Sequence, residues 1–237
     1  MQFMFALILA AMLGQAATAA SFKTVKIDKE SSKYNFSVEY PEFLPGSAPG
    51  YKAINATIYE DIVEGGCELD QQITNTFDYS AVAEVVALNK NYVSVRADTS
   101  SFCGGAHPNY STYFLTFAAE SGALLNIEKE FGFIDYNDPG YDHEKTEARR
   151  RLLAELLVDH NSSQAKETEC FTGTRQEMID SLQDFFPYVA GLASGKKVIL
   201  AISPPHAATP CYFDARVDYA AIKSLLNADS YLHKWLQ

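Results

Sequence analysis

Apolar, alternating segments joined by connections too short for anything but reversal restrict this chain most. Residues 81–88, 92–100, 110–117 and 123–127 read as strands, each bounded by turn residues. Only Asn89-Lys90-Asn91 separates the first two, and residues 118–122, with the turn signal Glu120-Ser121-Gly122, separate the last two. Such connections join antiparallel neighbours, whereas a parallel pair needs a crossover of a dozen residues or more. The expectation is an antiparallel meander of about four strands. Upstream, Tyr34, Phe36, Val38 and Tyr40 alternate on one face of a further strand, which Pro41 should stop. Residues 23–28 alternate more weakly.

Helices follow a different period. Tyr51, Ile54, Ile58 and Ile62 share one helical face, and Gly65-Gly66 should end that helix. A second helix is expected over 142–159, with Leu152, Leu153, Leu156 and Leu157 as its apolar stripe and Asp142 as its cap. Arg149, Arg150 and Arg151 lie largely off that stripe. Thr174-Arg175-Gln176-Glu177 has the form of a capping box and opens a third helix. Met178, Leu182, Phe185 and Val189 should carry its buried face, with Pro187 marking a kink or its end. Strands at 197–203 and 212–218 flank the stiff loop 204–210, and a short helix at 219–226 follows. Strands in blocks, then helices, then strands predict an α+β fold, mainly antiparallel sheet with helices packed on one face.

The chain opens on an apolar run, Phe3 to Leu13, followed by small residues and Ala17-Thr18-Ala19. This is the pattern of a cleaved secretory signal, with cleavage after Ala19. The expected organisation is a signal peptide at 1–19 and one α+β domain at 20–237, divisible into 20–75 and 76–237. No later segment is long and apolar enough for a membrane span. Four cysteines, Cys67, Cys103, Cys170 and Cys211, suit two disulfides in an oxidising compartment, periplasmic or secreted. Three pairings are open. Cys67–Cys103 with Cys170–Cys211 is preferred, because each then staples neighbouring elements. No C-x-x-C is present, and the spacings do not resemble a zinc site.

Thirty acidic residues against nineteen basic give a net charge of −11, none of it from residues 1–20. That field disfavours nucleic acid and anionic lipid, favours a cationic partner and aids solubility. Catalytic signals are sparse. The histidines at 107, 143, 160, 206 and 233 form no H-E-x-x-H pair, and there is no G-x-S-x-G elbow. Asp135 to Asp142 begins like a calcium loop, but Pro139 and Thr146 stand where the fifth and twelfth ligand positions would be. An acidic turn leading into a helix fits better. No cofactor or metal is indicated. Enzymatic activity is undecided, because a carboxylate pair for glycoside hydrolysis is a spatial arrangement.

Phe102-Cys103-Gly104-Gly105-Ala106-His107-Pro108-Asn109 carries a G-G-A-H-P turn between two strands. Tyr113-Phe114, Leu115-Thr116-Phe117, Glu120-Ser121-Gly122 and Ile127-Glu128-Lys129-Glu130-Phe131 follow it. Together these resemble an exported domain family of unknown function. That domain occurs in the bacterial anti-sigma factor RsiV and beside the catalytic domain of the peptidoglycan deacetylase PdaC. The likeness covers roughly residues 34–132. In RsiV this extracellular region binds lysozyme, so the resemblance implies an envelope-binding module, with lysozyme, another cationic protein or peptidoglycan as partner. PdaC's catalytic domain and RsiV's transmembrane and sigma-binding parts have no counterpart in this sequence.

Within the turn, Gly104 and Gly105 permit positive φ, and Pro108 pushes His107 toward extended backbone. Gly104, Gly105, His107 and nearby Tyr110 are the candidate partner-binding residues. A purely structural turn, its histidine bonded to neighbouring backbone, is the alternative.

Overall fold

The structure is a computed structural model describing residues 22–32, 34–65, 77–103, 107–133, 141–167, 170–171, 173–202, 204 and 211–236. The expected signal segment, Cys67, Gly104, Gly105 and the calcium-like run up to Gly140 lie outside the described residues. The fold is α+β and mostly antiparallel, as the strand and helix periods imply.

A five-stranded sheet runs in the order β1 (Phe22–Glu30), β2 (Tyr34–Phe43), β3 (Phe77–Leu88), β4 (Tyr92–Phe102) and β5 (Asn109–Ala118). β3, β4 and β5 pair antiparallel in succession as the expected meander, with Asn89–Asn91 between β3 and β4. Two details correct the sequence reading. β2 passes through Pro41 to Phe43, because beyond Glu39 it has only β1 beside it. A missing N–H costs little where a strand has a partner on one side alone. Residues 123–127 form no strand; Leu124 makes a single bridge to Phe117, and helix α2 (Ile127–Glu130) begins at once.

β2 and β3 run parallel, and helix α1 (Tyr51–Ile58) lies on the connection between them. A π turn, Tyr59–Val63, extends α1 and keeps Ile62 buried. Its unsatisfied Ile62 carbonyl accepts a hydrogen bond from the Tyr79 hydroxyl at 2.7 Å. Ile54, Ile58 and Ile62 pack with Phe43, Val38, Val95 and Phe117 in the first core. Each buried side chain of this size contributes about 1.5–3 kcal/mol. α1 begins hard against the turn after β5: a side chain on Gly50 would meet the Gly122 backbone at 2.3 Å.

The second sheet is β6 (Tyr188–Ala193), β7 (Lys197–Ala201) and β8 (Asp214–Asp218), antiparallel throughout. β6 corrects the expectation that Val189 lies on the third helix. That helix, α4 (Arg175–Asp184), stops before Pro187, and Phe186 turns the chain at φ 49°. The capping box forms in full between Thr174 and Glu177. Helix α3 (His143–Glu167) starts on Asp142, whose carboxylate accepts the Lys145 amide, and departs from helical geometry at Asn161. Leu153 and Leu157 of α3, Met178 and Leu182 of α4, and Val198 and Leu200 of β7 share the second core. The expected Cys170–Cys211 disulfide is present and ties the α3–α4 connection to the start of β8's approach. Short helices α5 (Tyr219–Ile222) and α6 (Leu232–Leu236) complete the chain; α6 was not expected.

The second sheet lies on the side of the first sheet opposite α1. Gly191 makes this contact close: a Cβ there would sit 3.2 Å from that of Phe114. The buried Tyr92 hydroxyl donates to the Ala193 carbonyl at 3.1 Å, and the hydroxyls of Ser94 and Thr116 pair beneath.

Candidate binding face

Pleating sends alternate residues of the first sheet to opposite sides. Val93, Val95, Leu115 and Phe117 face α1. Ser94, Arg96, Thr112 and Thr116 therefore face the second sheet, or open space where that sheet ends. The register gathers residues across all five strands on this side. One row is Asp28, Ser37, Ser80, Ser100 and Tyr110. The next is Lys26, Glu39, Val82, Asp98 and Thr112. Glu30, Asn35, Asp78 and Phe102 form an outer row, and Glu84 lies opposite Arg96.

This open face is acidic and half-uncovered. It carries Asp28, Glu30, Glu39, Asp78, Glu84 and Asp98 against Lys26 and Arg96. Both cations are engaged: Lys26 lies 3.4 Å from Asp28, and Arg96 bridges Asp98 and Asp214, each at 3.0 Å. Among the described residues no cation pairs with Glu39, Asp78 or Glu84. The Ser37 hydroxyl donates to Asp28 at 2.7 Å, which with Lys26 holds that carboxyl below its ordinary range. Val82 and Tyr110 are 46% and 56% exposed on the same face, large apolar groups standing among the charges. At its outer end a cleft of about 250 Å³ opens between Glu30, Tyr34, Asn35, Phe77 and Asp78.

Where the second sheet ends, Arg96 clamps the two sheets together. Burial works against its charge, but Asp98 and Asp214 outweigh it. Thr112 donates to Asp98 at 2.6 Å, and Tyr212 donates to Asp214 at 3.3 Å with its ring beneath the guanidinium. Asn161 of α3 donates to the Asp214 carbonyl. Burial pushes Tyr188 up to about 12, aided by Glu128 and Asp214, and raises Tyr212 as well. Both phenols stay neutral near pH 7. Arg96 is fully engaged by its two carboxylates, which join the two sheets, while Asp98 stays 47% exposed on the acidic face.

Of the candidate residues, Tyr110 stands on this face opposite Ser100, and His107 is exposed just before β5 begins. The acidic face itself was not found from sequence. Its members are scattered from 28 to 98 and meet only through the strand register. The one local signal is Ser80, Val82 and Glu84, the outward positions of an otherwise apolar strand.

No family model matches the sequence, and no curated protein matches it. Among solved structures, it is similar to a DUF3298 family protein from Pseudomonas aeruginosa PAO1, with 13% identity, a TM-score of 0.49, and 87% of this chain and 95% of that one covered. A DUF3298 member from Bacteroides fragilis NCTC 9343 shows 13% identity, a TM-score of 0.44, and coverage of 89% and 95%.

Proposed function

We infer that this is an exported binding protein of the cell envelope, whose open sheet face docks a cationic protein such as lysozyme. The observation that carries this is the charge of that face: six carboxylates against two cations, both already paired within the chain. The net charge of −11 and the RsiV-like run at 102–131 support it. Val82 and Tyr110 supply the apolar contacts that hold a partner once charge has brought it close.

The test is calorimetry of the chain from residue 20 onward with hen lysozyme, at low and at physiological salt. A one-to-one complex at physiological salt is expected, weakened more than about tenfold by Asp78→Lys with Glu84→Lys, since each rim charge contributes to a complementary field. Low-salt attraction that these reversals leave unchanged would sink the proposal and direct the search to peptidoglycan.

A further inference from the structure

The two outer edges of the five-stranded sheet are built differently. β1 carries Lys23, Lys26 and Lys29 along its length, the charges that natural edges use to refuse another strand. β5 has no charge at all from Asn109 to Ala118. Its far half is covered: the Thr116 carbonyl accepts from Leu125, and Ala118 exchanges bonds with Ala123 and Gly122. These bonds also fix the alternation. Thr116 and Ala118 point away from β4, and the register from 109 to 118 has no bulge. Tyr110 and Thr112 therefore present their N–H and C=O groups outward as well. Among the described residues nothing pairs with them there. Pro108 has no N–H, so the open ladder starts at Tyr110.

A carboxylate stands beside this edge: Asp98 lies on the open face next to Thr112, whose hydroxyl donates to it, and its side chain is 47% exposed. A strand laid along β5 would send every second side chain toward that face.

We propose that the partner adds an extended segment with basic residues at alternate positions to the free edge of β5, pairing its backbone with Tyr110 and Thr112 and its cationic side chains with Asp98. This rests on the reading of the neighbouring face as the docking surface for a cationic protein, and gives that docking its main-chain component. Backbone pairing supplies affinity, and Asp98 selects the side chains.

The probe is a fluorescein-labelled decapeptide of alternating threonine and lysine, read by anisotropy at physiological salt. A second version carries N-methyl groups on its two central residues, which removes a donor from each peptide edge while keeping every charge. The parent peptide should bind and the methylated one should bind roughly tenfold more weakly, the loss expected for one or two hydrogen bonds. Thr112→Pro, which deletes one outward N–H without touching the β4 ladder, should weaken the parent peptide similarly. Equal binding of the two peptides would overturn the proposal, even if Thr112→Pro failed to fold. So would absence of binding, or a concentration-dependent dimer in sedimentation that Thr112→Pro dissolves, since a second copy would then own the edge. The Asp78→Lys and Glu84→Lys reversals separate the two readings. If they leave lysozyme affinity intact, the face reading fails; the methylated-peptide comparison judges the edge alone.

Discussion

At Asp214 burial and charge pull in opposite directions. The side chain is 18% exposed, and removal from water raises its pKa. Arg96, the Tyr212 hydroxyl and Arg216 pull it back, while Asp98 pushes it up again, and burial prevails. The folded protein thus holds this proton more tightly than the unfolded chain does. Through the window between the ordinary and the raised value, the stability owed to Asp214 falls as pH rises and returns as pH falls. Asp214→Asn removes that titration but leaves an acceptor for Arg96, which keeps Asp98. In urea unfolding from about pH 4 to about pH 7, the variant should gain on the parent as pH rises. Parallel curves would mean Asp214 does not titrate in the fold. Nothing in the sequence singled out this residue, because its partners at 96, 98 and 212 come from another strand and a loop.

Helix α4 shows what local sequence does determine. Thr174 accepts from the Glu177 amide, and the Glu177 carboxylate accepts from the Thr174 amide. Thr174→Ala should cost about 1 kcal/mol, read as a lower urea midpoint at unchanged slope. The cap, the Ile54–Ile58–Ile62 stripe and the two short turns were all legible, since each is a pattern within one or two turns of chain. β6 was not. Val189, Leu192 and Ala193 are buried, with Gly191 against β5, so the strand is enclosed on both sides and lacks the alternation of a half-exposed one. A helix and a buried strand then look alike over six residues. The parallel pairing of β2 with β3 was equally hidden, because no local signal records which strand a long connection returns to. The acidic face inherits that difficulty: Tyr110 was visible as an aromatic near a glycine turn, whereas Glu39 and Val82 become neighbours only through the parallel register.

For the whole molecule, an acidic face on a chain of net charge −11 should act at a distance as well as in contact. The association rate with lysozyme, followed by stopped-flow fluorescence, should fall steeply between low and physiological salt, while dissociation changes little. A salt-independent rate would remove steering from the account. The order of the two sheets along the chain has a further consequence. All five strands of the first sheet, together with α1, lie within residues 22–118, and the second sheet begins only at Tyr188. Synthesis from the N-terminus can therefore close the first core while the second is still unmade. During that interval the surface that β6 will later cover stands in water. That surface carries the Ser94–Thr116 hydroxyl pair together with Phe114 and Tyr92, so the half-made protein exposes a mixed wall, in which the hydroxyls dilute the apolar area that would otherwise invite aggregation.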